Sequence, residues 1–194
     1  MTPDIVAAIQ PIVEHFEKLG IACSVVGSVA SSRHGIARST LDVDLVADLP
    51  GQLVDAVVDG LVDAYYIDRD AVADAVSRRS MFNAIHLQTM LKVDIYLLTE
   101  RPFDRESFSR RRSVALSPDP SARPYPVDTP EDTVLHKLEW YRLGGGVSER
   151  QWGDVVGVLR VHAGALDLAY MRRWAAELEV NDLLERALRE AGAT

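Results

Sequence analysis

The sequence predicts an α/β (α+β) chain: an N-terminal lobe in which a mixed β-sheet is flanked by helices, followed by a C-terminal helical bundle. Three observations carry this. The first hundred residues interleave helix-period segments with short β-branched runs such as IACSVV and LDVDLVA. A proline-rich stretch then spans 99–130, with Pro102, Pro118, Pro120, Pro124, Pro126 and Pro130. Beyond it, helix-capping signals recur and strand-type runs stop. The expected division is 1–100 for the α/β lobe, 101–129 for an irregular connection and 130–194 for the helical lobe.

Each element has its own signal. Ile5, Ile9, Ile12, Val13 and Phe16 repeat at helical spacing over 3–19, and Gly20 stops the helix. Residues 21–26 are apolar and β-branched, as in a buried strand. Gly27-Ser28 breaks that strand and leads into a short helix. LDVDLVA alternates polar and apolar side chains and reads as the next strand. Residues 50–76 read as helix, turn and helix, followed by strands around MFNAIHLQ and KVDIYLL. Within the connection a strand is expected near 112–116. Thr129-Pro130-Glu131-Asp132 supplies a cap, a first-position proline and acidic residues for the next helix. Ser148 opens a further helix that runs to about 162, and Asp167 and Asn181 are expected caps of two more, the last ending at Gly192.

Composition narrows the classes of function. The chain has 194 residues, 47% of them hydrophobic and 26% charged, which excludes wholesale disorder. The lone Cys23 cannot form an internal disulfide and is expected in the core. The first 19 residues lack a basic leader, and no run of 18 apolar residues occurs. A cytoplasmic protein without membrane contact is therefore expected. The net charge of −8 argues against nucleic acid as a partner. Clustered arginines, at 78–79, 110–112 and 172–173, argue the other way, since guanidinium forks bind phosphate. Arg110, Arg111 and Arg112 are candidates for an RNA path. The tryptophans Trp140, Trp152 and Trp174 are expected to pack between helices, and the histidines, which lack ligand spacing, to be structural or exposed.

The chemistry concentrates at three places. Asp42 and Asp44 are two apart on a strand, so both carboxylates face one side while Leu41, Val43 and Leu45 face the core. Two adjacent carboxylates repel unless a cation sits between them. With oxygen donors only, that cation is Mg²⁺ or Mn²⁺ rather than zinc. Asp94, in KVDIY, has the same strand setting. The Gly27-Ser28 turn, where a strand feeds a helix, suits a triphosphate through backbone N–H groups and the serine hydroxyl.

Gly27-Ser28, a 13-residue gap and then Asp42-Val43-Asp44-Leu45 resemble the signature of the polymerase-β-type nucleotidyltransferases, with Asp94 where a third carboxylate belongs. More narrowly, Gly27 to Ala30 and His34 to Leu45 resemble the AbiEii/MenT-type toxins of bacterial toxin–antitoxin systems. Pro130 to Leu138 is similar to their helix bearing a catalytic lysine, and Ser148 to Val155 to the helix bearing a further acid. The resemblance implies transfer of a nucleotide from an NTP to the 3′ end of tRNA, which blocks aminoacylation and growth. It implies that Asp42 and Asp44 bind metal and that Gly27 and Ser28 hold the triphosphate. Lys137 and Arg38 would meet the phosphates, and Asp154 would orient Lys137 or the substrate. Asp94 would be either the base or a ligand of a second metal. It also implies a cognate antitoxin of kinase-like type that modifies Thr40 or Ser39. Two other readings stay open: a transferase acting on a small molecule of aminoglycoside type, and a non-catalytic nucleotide-binding module.

Overall fold

The computed structural model describes residues 3–40, 42–117, 119 and 121–193. The chain runs α1 (Pro3–Lys18), β1 (Cys23–Val26), α2 (Gly27–His34), β2 (Asp42–Ala47), a 3-10 turn (Gly51–Leu53), α3 (Val54–Leu61), β3 (Tyr65–Ile67), α4 (Arg69–Arg78), β4 (Met81–His86) and β5 (Lys92–Leu97). It continues through α5 (Pro102–Arg110), β6 (Arg112–Ala115), β7 (Pro124–Val127), α6 (Pro130–Leu143), α7 (Glu149–Val161), α8 (Leu168–Glu177) and α9 (Asn181–Ala191). The strands form one seven-stranded sheet, ordered β3-β4-β5-β2-β1-β7-β6. β2 is parallel to β5 and β1 to β7, while the other neighbours are antiparallel. The fold class is therefore the one expected.

Two apolar clusters hold the chain together. The first joins α1 (Ile9, Ile12, Phe16) and α3 (Val57, Leu61) to the inward residues Val43, Leu45, Val93 and Ile95 of the central strands. The second lies among α6 to α9 and takes in Phe103 from α5. Cys23 is buried in the first cluster, and burial pushes its thiol up to about 11, so it stays protonated and inert. The α6, α7 and α8 caps form as expected: the side chains of Thr129, Ser148 and Asp167 accept from the backbone N–H of Asp132, Gln151 and Tyr170. Among the described residues, no helix is long and apolar enough to cross a membrane.

Several expectations are corrected. Residues 50–76 are not helix, turn and helix, because β3 lies between α3 and α4. The segment 101–129 is not irregular: it contains α5, the expected strand β6, and β7, which adds to the sheet beside β1. Prolines at 124 and 126 hid β7. Successive N–H groups of a strand point to opposite neighbours, and the Asp128 N–H donates to Val25 on β1. Pro124 and Pro126 share that parity, so they remove donors only toward β1, where a single residue pair, Val25–Val127, is in register. Asn181 is the first helical residue of α9 and not its cap, a place taken by Val180. Trp140 is 54% exposed, so it does not pack as Trp152 and Trp174 do. The expected core residue Leu41 and the prolines Pro118 and Pro120 lie outside the described residues.

Candidate active site

The parallel register of β2 and β5 sets Asp42 beside Lys92 and Asp44 beside Asp94. Paired residues on adjacent strands share a face, so these four charged side chains stand on one face of the sheet. Val43, Leu45, Val93 and Ile95 turn to the buried face. Asp42 is exposed and Asp44 half-buried, whereas Asp94 is buried. The Asp44 carboxyl is pushed above its usual value by burial and then by the negative charge of Asp94; its bond to the Ser28 N–H and the nearby Lys137 pull the other way.

β1 delivers the Gly27-Ser28 turn to the same place. Val26 pairs with Asp44, and Gly27 follows at φ +61, a left-handed conformation that favours glycine. A Cβ at position 27 would overlap the Asp44 carboxylate, so the backbone approaches that closely only because the residue is glycine. Ser28 follows in the first turn of α2, with its backbone N–H on Asp44 and its hydroxyl accepting from Arg38 Nη2 at 2.6 Å.

Helices α6 and α7 bring the remaining groups. Lys137 is buried, with Nζ 2.9 Å from Asp154 Oδ2. Arg38, in the loop between α2 and β2, grips the same carboxylate with two bonds of 2.8 Å. Asp154 thus holds one cation from the α2–β2 loop and one from α6. Against the upward push of burial, its bonds to Arg38 and Lys137 keep it below the usual carboxylate range. Gly35 permits this junction: a Cβ there would meet the Val158 backbone nitrogen at 2.8 Å, so α7 rests directly on the end of α2.

The residues brought together are therefore Asp42, Asp44, Asp94, Gly27, Ser28, Arg38, Lys137 and Asp154. Thr40 and Ser39 lie in the loop that enters β2. The Thr40 hydroxyl donates to the Asp42 carbonyl at 3.0 Å, which makes it a turn-forming residue in this state. Lys92 is the charged member of this face that the sequence reading left without a role. Its position two residues before Asp94 on a strand was the available signal.

The arginine clusters turn out differently. Arg110 pairs with Asp132 at 3.2 Å and stacks on Tyr170, while Arg111 stacks on Phe108. Arg172 pairs with Glu185 and Arg173 with Glu106, leaving Arg112 as the exposed member of the 110–112 run. These guanidiniums are mostly held by the protein's own acids and aromatics. Two open clefts, of about 650 and 460 Å³, lie off the carboxylate face; the smaller is lined by Arg33, Arg38, Ser39 and Thr40.

The donor chemistry of the carboxylate face fits a hard divalent cation. All donors are oxygens, Asp44 carries charge that burial disfavours, and Asp94 Oδ1 is buried without a partner. Among the described residues no three acidic, histidine or cysteine side chains converge as a ready-made chelate. Asp42 and Asp44 would supply carboxylate oxygens to such an ion, the donor type that Mg²⁺ prefers.

No protein-family model and no curated protein sequence matches the chain. Solved structures do. One is an antigenic nucleotidyltransferase-like protein from Paracoccidioides brasiliensis, at TM-score 0.62 and 13% identity over 97% of this chain and 94% of that one. Another is the antibiotic-resistance factor ANT(2″)-Ia in solution, at TM-score 0.58 and 13% identity over 98% and 99%. ANT(2″)-Ia in complex with adenylyl-2″-tobramycin superposes at TM-score 0.59 and 14% identity over 91% and 97%. At such identities the likeness establishes the fold, that of the nucleotidyltransferases.

Proposed function

We propose that the protein transfers a nucleotide from a nucleoside triphosphate to a hydroxyl acceptor. One observation carries the reading: Asp154 holds Lys137 and Arg38 together at the Ser28 turn, next to the Asp42–Asp44 pair. That arrangement sets positive charge for a triphosphate beside carboxylates for its metal. Asp42 and Asp44 would hold Mg²⁺ or Mn²⁺, which supplies charge stabilisation at the reacting phosphate. The Ser28 hydroxyl, oriented by Arg38, donates to a phosphate oxygen. Lys137 and Arg38 offset the charge that grows on the leaving pyrophosphate. The acceptor oxygen forms its bond to the α-phosphorus as the bond to pyrophosphate breaks, and Asp94 takes the acceptor's proton. Such transfer depends on positioning and charge far more than on covalent chemistry with the protein.

For the acceptor, the resemblance at 27–45, 130–138 and 148–155 supports the tRNA 3′ end, with growth arrest as the consequence. It also supports a kinase-like antitoxin acting on Thr40 or Ser39. A phosphate there adds about −1.5 to −2 charges next to the carboxylate strand and would compete for the metal. A second reading, a small acceptor of aminoglycoside type, is favoured by the ion pairs of Arg110, Arg172 and Arg173, which engage these arginines with the protein's own acids. The full-length likeness to ANT(2″)-Ia agrees with it.

The test is incubation with Mg²⁺ and α-labelled NTPs, alongside total tRNA in one arm and an aminoglycoside panel in the other. Label on tRNA supports the first acceptor, and label on a small molecule the second. A Thr40→Glu variant should lose most transfer while Thr40→Ala keeps it. No labelled product and no pyrophosphate in either arm overturns nucleotidyl transfer and leaves the binding-module reading.

A further inference from the structure

Lys92 is a permanent cation inside a face that otherwise needs a metal. It shares that face of β5 with Asp94, two residues on, and sits beside Asp42 across the β2–β5 pair. Its Nζ is 2.6 Å from Asp94 Oδ2. The four corners are therefore not equivalent. Lys92 neighbours Asp42 and Lys137 acts on Asp44 only at longer range, whereas Asp94 carries an ammonium in direct contact on one oxygen while the other, Oδ1, is buried and unpartnered. The transfer chemistry proposed above assigns Lys92 nothing.

The geometry points to Lys92 as the resident counter-cation of Asp94, so that the nucleotide-loaded site takes one divalent ion, at Asp42 and Asp44, instead of two. This rests on the reading of the face as a nucleotidyl-transfer site. A two-metal site would set its second ion against the third carboxylate. Here an ammonium already contacts that carboxylate, and a lysine head is a compact point charge. A divalent ion on the same oxygen would stand within one contact distance of it and be repelled. Lys92 also fixes which Asp94 oxygen is engaged, namely Oδ2. It is a positioning residue whose charge replaces a metal.

The test counts Mn²⁺ ions per chain by electron paramagnetic resonance, at saturating non-hydrolysable NTP analogue. The wild-type protein should bind one, Lys92→Arg should also bind one, and Lys92→Met should bind two. Two ions in the wild-type protein overturn the proposal while leaving nucleotidyl transfer standing. One ion in Lys92→Met, with its fold intact by circular dichroism, overturns it equally. No Mn²⁺ bound by the wild-type protein with the analogue overturns the transfer reading, and this inference with it.

Discussion

Asp44 shows what the site costs at the scale of one residue. Burial and the neighbouring Asp94 raise its carboxyl above the ordinary value, so the folded chain holds the proton more tightly than the unfolded chain does. For an acid shifted in that direction, stability is greatest below the unfolded pKa and is lost as pH rises through the folded value. At neutral pH without metal, the ionised Asp44 therefore destabilises the fold. Asn at this position keeps the acceptor for the Ser28 N–H and removes the charge. We expect Asp44→Asn to abolish transfer while raising the melting temperature at pH 7.5, by about 2–4 °C per kcal/mol recovered. The gain should vanish as pH falls toward 3.8, the ordinary carboxylate value. A melting temperature below wild type at pH 7.5 would show that Asp44 is structural instead.

At the scale of elements, what the sequence made legible was what local chemistry decides alone. Strict alternation marked β2 and the shared face of Asp42 and Asp44, and Thr129-Pro130, Ser148 and Asp167 marked the starts of three helices. What was hidden depends on distant partners. β3 is three residues long and is a strand because Tyr65 pairs with His86. β7 contains two prolines and holds its place through β6 on one side and Val25 on the other. Residue spacing likewise could not show that Asp154 on α7 reaches back 116 residues to Arg38. That junction supplies the next prediction. The Asp154 and Lys137 side chains are 7% and 9% exposed, so removing the carboxylate strands two cations. Asp154→Asn should cost about 3 kcal/mol, since breaking a buried pair leaves uncompensated charge. Lys137→Met strands none, because Arg38 still satisfies Asp154, and should cost clearly less in chemical denaturation. Both should lose transfer. Equal stability losses would show that Arg38 contributes nothing to the junction.

For the whole molecule, the question is what makes two apolar clusters act as one body. Asp128, at the end of β7, is a buried joint between them. Its carboxylate accepts from Ser24 on β1 at 2.7 Å and from His136 Nδ1 on α6 at 3.1 Å, and its backbone carbonyl accepts from His34 Nε2 on α2 at 2.7 Å. The two imidazoles respond oppositely to pH. Burial lowers His34, against which its bond to the Asp128 carbonyl works only partly, while His162 and Arg33 add to the lowering. Burial also opposes protonation of His136, but there the bond to Asp128 and the charges of Asp128, Asp132 and Asp104 prevail and raise it above 6.5. A raised histidine stabilises fully below its unfolded value and loses that contribution as pH climbs through the folded one. A lowered histidine does the reverse, stabilising above 6.5 and failing as pH falls. Stability should therefore decline on both sides of a plateau near the unfolded histidine value. His136→Gln should flatten the alkaline limb and leave the acid one, and His34→Gln should do the opposite, as read by melting temperature across pH 5 to 9. Identical profiles for both variants and the wild type would mean that the Asp128 joint does not couple the lobes through proton binding.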